Sequence, residues 1–241
     1  MMKRAKTAMK GRVTLERALS KLGFASRTEA RDLIETGRVK VHGSVEKNPA
    51  RPVNPDSAHI EVDGEKTTRA ETELFIFHKP KGVVTTKRDP EGRKTIYDCL
   101  PKEFHHFHPV GRLDMNTTGL LLITNDTKLS NFLTDPESQI PRTYVVDVRG
   151  KFTEESSKKM REGVLDSEDL LIAQFVQILK SSEKESRLRL VLTEGKNREI
   201  RRLCLALNHE VIRLKRIAFG EYELGDLASE GLRAVRSTKP V

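Results

Sequence analysis

Asp114 is the residue of this sequence best placed to carry chemistry. It lies in the segment 108–126 (HPVGRLDMNTTGLLLITND), between Gly111 and Gly119, and Arg112 precedes it by two positions. Glycine permits backbone conformations and close approaches that a side chain forbids, and a nearby cation favours the ionised form of a carboxylate. The pattern therefore predicts an ionised carboxylate that acts as a nucleophile or electrostatic stabiliser. The alternative is a surface ion pair between Arg112 and Asp114 in a turn.

A second group of charged side chains lies in the segment 194–203 (EGKNREIRRL). We expect Asn197 to cap the helix that follows, whose apolar residues recur at helical spacing. Arg198, Arg201 and Arg202 then lie at the N-terminal end of the helix, where its dipole disfavours cations. The spacing therefore predicts a stabilising partner for them, which is a carboxylate, a set of phosphates, or both.

The histidines at positions 78, 105, 106 and 108 raise the question of a metal site. Their spacing fits no standard ligand set, and no cysteine or carboxylate joins them. The sequence also contains no phosphate-cradling glycine loop and no nicotinamide fingerprint. We therefore expect neither a metal nor a cofactor.

The elements that position Asp114 are predicted to be strands. The apolar run at 120–124 directly follows the Asp114 turn and reads as a buried strand. Further strands are predicted at 74–78, 143–149, 170–179, 187–193 and 211–217, and helices at 127–133, 153–162 and 198–207. Strands with interspersed helices and short connections are typical of an α+β domain with a mixed, mostly antiparallel sheet.

A smaller module is predicted over residues 13–63. Apolar residues at helical spacing indicate a first helix that ends at Gly23. Ser26 and Glu29 form a capping box that begins a second helix, and Gly37 ends that helix. A short strand and a tight turn follow.

The charge of the chain is concentrated at its start. The 241 residues include 44 Lys and Arg against 35 Asp and Glu, a formal net charge of +9. Residues 1–12 contain five of the cations and no acid, which predicts a basic arm for phosphate contact. The alternative is a solubilising tail. Such a charge favours a polyanionic partner without distinguishing RNA, DNA or an anionic membrane.

Residues 64–73 contain almost no apolar side chains, and we interpret them as a linker to a second domain at 74–241. No apolar run approaches the roughly 20 residues that span a bilayer. The cysteines at positions 99 and 204 have no metal or redox spacing and are expected to be reduced thiols. We therefore expect a cytoplasmic protein with no membrane partner.

The segment around Asp114 resembles a family signature. The run GRLD, followed by T-x-GLLLITND, is similar to the signature of the pseudouridine synthases of the ribosomal small-subunit type. The segments 75–82, 142–144 and 194–203 also match that family, with arginine at 142 in place of the usual lysine and threonine at 127 in place of glycine. The 13–63 module resembles the α-L RNA-binding domain known from a ribosomal small-subunit protein.

The resemblance implies roles for individual residues. Asp114 falls on the catalytic aspartate, and Arg201 on the active-site arginine that pairs with it. Tyr144 matches a catalytic tyrosine that stacks on uracil and is a proposed proton acceptor; the alternative is a core tyrosine. Leu214 matches the apolar residue that closes the pocket, and Arg112 the arginine that enters the RNA in place of the extracted nucleotide. We expect Lys79 and Arg198 to bind substrate as well, and Arg27, Arg31, Arg38 and Lys40 to contact RNA.

The implied activity is the cofactor-free isomerisation of a uridine to pseudouridine in ribosomal RNA, of the large subunit rather than the small. The base must leave its stack to reach such a pocket. The sequence leaves open whether Asp114 attacks the anomeric carbon or abstracts a neighbouring sugar proton to give a glycal. The alternatives are a non-catalytic RNA-binding ribosome-assembly factor and a synthase that acts on transfer RNA. We expect a monomer whose partner is ribosomal RNA or a pre-ribosomal particle.

Overall fold

The computed structural model describes residues 11–25, 27–67, 71–166 and 169–236. Two sequence predictions therefore lie outside the described residues, namely most of the basic arm and the Ser26 side of the capping box.

The chain divides into two compact units. One comprises residues up to 72 together with 125–127, and the other comprises 73–124 and the residues from 128 onward. No helix within the described part of the chain is long and apolar enough to cross a membrane.

The N-terminal unit packs two helices against short strands. Its elements are β1 (Val13–Thr14), α1 (Leu15–Lys21), α2 (Arg27–Glu35), β2 (Val39–Val41), β3 (Ser44–Val45), β4 (Pro52–Val53), β5 (Ile60–Val62) and β6 (Glu65–Lys66). The helices bury Leu15, Leu19, Ala30 and Ile34 against alternating residues of β2 and β5. Gly23 and Gly37, each with a φ of 77°, lie just beyond the two helices, so the predicted helix ends are confirmed.

The second unit is built on a mixed sheet. Its strands are β7 (Leu74–Lys79), β8 (His108–Pro109), β9 (Thr118–Thr124), β10 (Arg142–Arg149), β11 (Val164–Asp166), β12 (Asp169–Leu171), β13 (Phe175–Ser181), β14 (Glu185–Leu192), β15 (Val211–Phe219), β16 (Tyr222–Glu223) and β17 (Leu232–Val235). Its α-helices are α3 (Thr127–Thr134), α4 (Glu154–Glu162) and α5 (Glu199–Ala206), and its 3-10 helices are Ile96–Asp98, Lys102–Phe104 and Pro136–Ser138.

The sheet confirms the predicted α+β class. Among the described residues, nine strands follow the order β13-β14-β10-β15-β9-β7-β17, with β16 beside β15 and β8 beside β9. All these neighbours pair antiparallel except β15 with β9. Strand β9 is buried on both faces, because Leu121 and Ile123 enter one core cluster while Leu120 and Leu122 enter another. Burial on both faces explains why its sequence is a continuous apolar run instead of an alternating one.

The predicted strand at 170–179 is wrong in one respect, because the structure divides it. Strand β12 pairs with β11 in a hairpin, whereas β13 pairs with β14 at the edge of the sheet. Between them Ala173 is fully buried, and its N–H donates to the carbonyl of Met160 at 2.9 Å. The apolar run continues through this turn, so hydrophobic pattern alone does not reveal the break.

Strands β7, β9 and β15 meet at Gly119, five residues after Asp114. Gly119 lies opposite Lys79 on β7 and opposite Arg216 on β15. Its φ is +105°, and a Cβ atom added there would lie 2.1 Å from the carbonyl oxygen of Arg216. Only glycine permits this approach, so the predicted need for glycine beside the acid is confirmed at this position.

We expect Gly119→Ala to destabilise the protein by on the order of 3 kcal/mol, since backbone must shift to relieve the clash. Gly92→Ala is the matched control, because Gly92 also has a positive φ (+69°) but an added Cβ would meet nothing within 4 Å. Urea unfolding of both variants measures the difference. Equal losses of unfolding free energy would mean that a side chain at position 119 is tolerated where β7, β9 and β15 meet.

Candidate active site

A cavity of about 460 Å³ opens beside the turn that carries Asp114. This volume falls within the roughly 300–1,000 Å³ that is common for small-molecule sites. The cavity lies within the second unit, between that turn, strands β10 and β15, and the start of α5. Six of the seven residues predicted as catalytic or substrate-binding line it: Arg112, Asp114, Tyr144, Arg198, Arg201 and Leu214.

Asp114 is half-buried at the cavity wall, in a turn closed by a hydrogen bond from the N–H of Thr117 to its own carbonyl at 3.0 Å. Within the described part of the chain, its carboxylate has no hydrogen bond and no ion pair. The alternative of an Arg112–Asp114 ion pair is therefore not formed, and Arg112 is exposed at the cavity. The carboxylate is available to a bound substrate.

The end of β7 and the segment after it hold the turn that carries Asp114. Lys79 has no exposed surface, and its ammonium donates to the carbonyls of Thr117 at 2.9 Å, Pro80 at 3.0 Å and Met115 at 3.5 Å. The hydroxyl of Thr85 donates to the carbonyl of Leu113 at 2.8 Å. Burial lowers the pKa of Lys79 to about 8, although the charge of Asp114 opposes this shift.

The placement of Lys79 does not support the prediction that it binds substrate. Its side chain does not line the cavity, and its ammonium donates to the carbonyls of Met115 and Thr117, which follow Asp114 in the turn. Sequence reasoning missed this because a K-P-x-G turn gives no sign of whether its lysine points outward or into the core. We propose that Lys79 positions the Asp114 turn.

For the activity that the sequence resemblance implies, we expect Lys79→Met to lower the single-turnover rate about 10- to 100-fold while RNA affinity is unchanged, since displacement of a catalytic group by about 1 Å has effects of this size. Methionine keeps an apolar stem but leaves the carbonyls of Met115 and Thr117 without their donor. Lys81→Met is the control, because Lys81 is exposed in the same turn. A normal rate in the Lys79 variant would show that the Asp114 turn keeps its conformation without Lys79.

Arg201 contacts the same turn from α5. Its guanidinium donates to the carbonyl of Asn116 at 3.1 Å and to that of Val211 at 3.4 Å. The expected ion pair with Asp114 is not formed in the described chain, because the guanidinium donates to these carbonyls and not to the carboxylate. Burial lowers the pKa of Arg201, and the charge of Asp114 acts in the opposite direction. Arg201 is thus placed to hold the Asp114 turn, and its charge favours the ionised form of the carboxylate.

The start of α5 differs from the prediction. Arg198 and not Asn197 is the N-cap residue, in a left-handed conformation with a φ of 49° and no side-chain cap. Glu199 instead accepts from the N–H of Lys196 at 3.1 Å, which stabilises the same end of the helix. Arg202 pairs with Asp166 and Asp169, so its predicted partner is carboxylate. Arg198 is exposed at the cavity, with no partner among the described residues.

Strands β10 and β15 form the inner wall of the cavity. Their antiparallel register places Val146 opposite Leu214 and Tyr144 opposite Arg216. Tyr144 is almost fully buried, as a core tyrosine would be. Its hydroxyl, however, has no hydrogen-bond partner in the part of the chain that the structure describes, so it is available to a ligand.

Sequence reasoning assigned no role in the site to several other residues of the cavity wall, among them Arg142, Glu199, Arg216 and Phe219. Arg142 drew attention only as a departure from the family pattern. A signal did exist for Arg216, because it follows Leu214 by two positions and so shares its strand face. Burial raises the pKa of Glu199, which favours its neutral form.

Two parts of the chain match known protein families. Residues 73–206 match the model of the RNA pseudouridylate synthase family, and residues 13–58 match that of the S4 domain. The chain belongs to the RNA pseudouridylate synthase family. The predicted family, and the predicted order of a small RNA-binding domain before an α+β catalytic domain, are thereby confirmed.

Individual relatives cover most of the chain of this synthase. It is 38% identical over 204 residues to ribosomal large subunit pseudouridine synthase B of Bacillus subtilis (strain 168), covering 84% of this chain and 83% of the relative. It is 36% identical over 217 residues to an uncharacterized RNA pseudouridine synthase of Aquifex aeolicus (strain VF5), covering 90% and 87%. A crystal structure of a pseudouridylate synthase aligns with a TM-score of 0.64 at 25% identity, over 93% of this chain and 96% of that one.

The predicted RNA-binding residues of the S4 domain divide into two groups. Arg27 and Arg31 both bind the carboxylate of Glu16, which lowers the pKa of Glu16, and Arg38 binds Asp63. These three arginines remain more than half exposed. Lys40 is exposed and, within the described residues, has no partner. Their contact with RNA stays a prediction.

The histidines that raised the question of a metal have other contacts. A ring nitrogen of His78 lies 2.7 Å from the carbonyl of Leu227, and one of His105 lies 3.2 Å from that of Leu100. Across the described ranges, no group of three or more His, Cys, Asp or Glu side chains is arranged to hold a metal ion.

Proposed function

We propose that this synthase isomerises a specific uridine of large-subunit ribosomal RNA to pseudouridine without a cofactor, with Asp114 as the catalytic carboxylate. The observation that carries the proposal is the unpartnered, half-buried carboxylate of Asp114 in a cavity bounded by Tyr144, Leu214 and Arg201. The names of relatives that match most of the chain support the choice of large-subunit RNA.

The reaction begins at the sugar. The glycosidic bond between C1′ and N1 breaks, and its electron pair remains on the uracil. Asp114 either attacks C1′ directly or removes the proton on C2′ to give a glycal. The uracil then turns and C5 bonds to C1′, while the bond between Asp114 and C1′ breaks in the first route or Asp114 returns the proton to C2′ in the second. The proton on C5 then leaves, and N1 gains one. The atoms of substrate and product are therefore the same, and no oxidant or reductant is required.

The remaining cavity residues bind and orient the base. Tyr144 stacks on the uracil, and its free hydroxyl is suited to accept the proton that leaves C5. Leu214 closes the apolar side of the pocket. Arg112 and Arg198, both exposed at the cavity, contact the RNA, and Arg112 fills the space left by the extruded nucleotide.

We assign RNA binding outside the pocket to the N-terminal regions. The proposed organisation is a basic arm at 1–12, an S4-type domain at 13–63, a linker at 64–73 and the catalytic domain at 74–241. Arg27, Arg31, Arg38 and Lys40 contact RNA phosphates in this proposal. The protein acts as a cytoplasmic monomer on ribosomal RNA or on a pre-ribosomal particle.

Deletion of residues 1–12 should weaken RNA binding and flatten its salt dependence, while the chemical step is unchanged. Five cations that each contact a phosphate contribute a slope of about 3 to 4 in log affinity against log salt. Binding of one RNA fragment by the full-length and truncated proteins, at several salt concentrations, measures this slope. An unchanged slope would identify the arm as a solubilising tail.

The two alternatives predict different maps of pseudouridine in the cell. Pseudouridines are mapped across total RNA from cells that have the protein, lack it, or carry Asp114→Asn. The proposal predicts the loss of one site in large-subunit ribosomal RNA without the protein and with the variant. Loss of a transfer-RNA site would identify the other synthase class, and an unchanged map would identify an assembly factor.

A further inference from the structure

Two arginines of the cavity wall lie against one aromatic ring. The guanidinium carbons of Arg142 and Arg216 are each 5.0 Å from the centre of the Phe219 ring. The two residues are only 7% and 3% exposed, and both line the cavity. Buried cations normally have a carboxylate partner.

No carboxylate forms an ion pair with either arginine in the described structure. Arg142 donates to the carbonyls of Thr193 at 2.9 Å and Leu133 at 3.5 Å, and Arg216 donates to that of Leu120 at 2.7 Å. The Nη2 atom of Arg216 is buried without any hydrogen-bond partner among the described residues. Burial lowers the pKa of Arg142 and the charge of Arg216 lowers it further, whereas Tyr144 and Glu199 act in the opposite direction.

The acids of the cavity form no ion pair with these two arginines in the described structure. Glu194 pairs with Lys196, and burial raises the pKa of Glu199 although the charge of Arg142 acts in the opposite direction. Asp114 lies in the turn before β9 and, in the proposed function, faces the sugar. The inner wall therefore keeps an excess of positive charge, and an anion placed there would relieve the repulsion.

We propose that Arg142 and Arg216 stabilise the negative charge that develops on the uracil when its glycosidic bond breaks. This inference rests on the proposed function. Once the C1′–N1 bond breaks, the uracil holds the electron pair as an anion until C5 bonds to C1′. Because the charge exists only after the bond starts to break, buried cations here stabilise the transition state more than the bound substrate.

The position of the pair favours the base over an RNA phosphate as its ligand. Arg216 lies opposite Tyr144 and two residues from Leu214 on the same strand face, and these two residues enclose the base in the proposed function. The low exposure of both arginines places them behind the opening of the cavity, whereas backbone phosphates would lie at its rim.

The test replaces each arginine by glutamine, which removes the charge, and by lysine, which keeps it. Single-turnover rates of glycosidic-bond cleavage are measured at saturating enzyme on RNA that carries uridine or 5-fluorouridine at the target. Fluorine at C5 blocks the final loss of a proton, so the comparison is confined to this first step. Fluorine stabilises the uracil anion, so a substrate that carries it needs less help from the protein. We expect Arg216→Gln and Arg142→Gln to lower the rate on uridine roughly 10²- to 10³-fold. The loss of rate on 5-fluorouridine should be smaller by a factor of at least about ten.

The lysine variants should retain most of the rate, and none of the four should weaken RNA binding. Arg213→Gln is the matched control, because Arg213 lies on the same strand but is exposed and pairs with Asp147. Thermal unfolding shows whether each variant is folded. If the Arg216 variants do not fold, the Arg142 variants test the inference.

Three results would overturn the inference. Equal losses on uridine and 5-fluorouridine would indicate a structural role, and so would equal losses in the lysine and glutamine variants. Weaker RNA binding with an unchanged single-turnover rate would indicate a phosphate contact. A wild-type protein that forms no pseudouridine would instead refute the proposed function itself.

Discussion

We expect Asp114→Asn to abolish pseudouridine formation, with a loss of at least roughly 10⁴-fold, while the protein keeps its fold and its affinity for RNA. The amide has nearly the shape of the carboxylate but is neither nucleophilic nor basic. Because Asp114 has no hydrogen bond or ion pair to lose among the described residues, the substitution leaves no buried group unsatisfied. The fold should therefore tolerate it.

Tritium release from RNA labelled at C5 of uridine measures the turnover of this variant. Asp135→Asn is the matched control, because Asp135 is exposed, lies outside the cavity wall and caps a 3-10 helix in a way that asparagine can also perform. Release at the wild-type rate by a folded Asp114 variant would remove Asp114 from the chemistry.

We expect Arg201→Ala to lower the single-turnover rate by roughly 10²- to 10³-fold, a loss typical for removal of one fixed electrostatic group. The variant loses the bond to the carbonyl of Asn116, two residues after Asp114, and with it a cation close to the carboxylate. Arg202→Ala is the control on the same helix, since Arg202 pairs with Asp166 and Asp169 outside the cavity.

The decisive comparison for Arg201 separates chemistry from binding. RNA affinity and the single-turnover rate at saturating enzyme are measured on the same RNA for both variants. Weaker binding with an unchanged rate would assign Arg201 to the RNA contact surface. A similar loss of rate in the Arg202 variant would indicate a general disturbance of α5.

Much of the site follows from local sequence patterns. Asp114 was recognisable because turn residues and an apolar strand surround it, and that strand is β9. Tyr144 and Leu214 were identified by the family resemblance, and they lie on strands β10 and β15. In each case, neighbours in the sequence determine the position of the side chain.

The parts that the sequence did not reveal depend on tertiary contacts. The ammonium of Lys79 turns inward because carbonyls of a turn more than thirty residues away receive it. Phe219 reaches the pocket face of β15 because the register of β15 against β10 shifts between Thr143 and Tyr144. A bulge of this kind breaks the period of two, so alternation places Phe219 on the wrong face.

Arg201 illustrates a further limit. Family resemblance identified the residue, but its hydrogen bonds depend on where α5 begins and on which carbonyls the Asp114 turn exposes. The pair formed by Arg142 and Arg216 depends likewise on strand register, because the two residues are far apart in the sequence. Such contacts become visible only once the strands are aligned.

The most direct test of the central claim uses purified protein and large-subunit ribosomal RNA from cells that lack it, both as free RNA and as pre-ribosomal particles. Carbodiimide labelling followed by alkaline treatment leaves the label on pseudouridine and not on uridine. The label is mapped nucleotide by nucleotide after incubation with wild-type protein or Asp114→Asn. We predict new pseudouridine at one nucleotide with the wild type and none with the variant. New pseudouridine with both proteins, or with neither, would contradict the account.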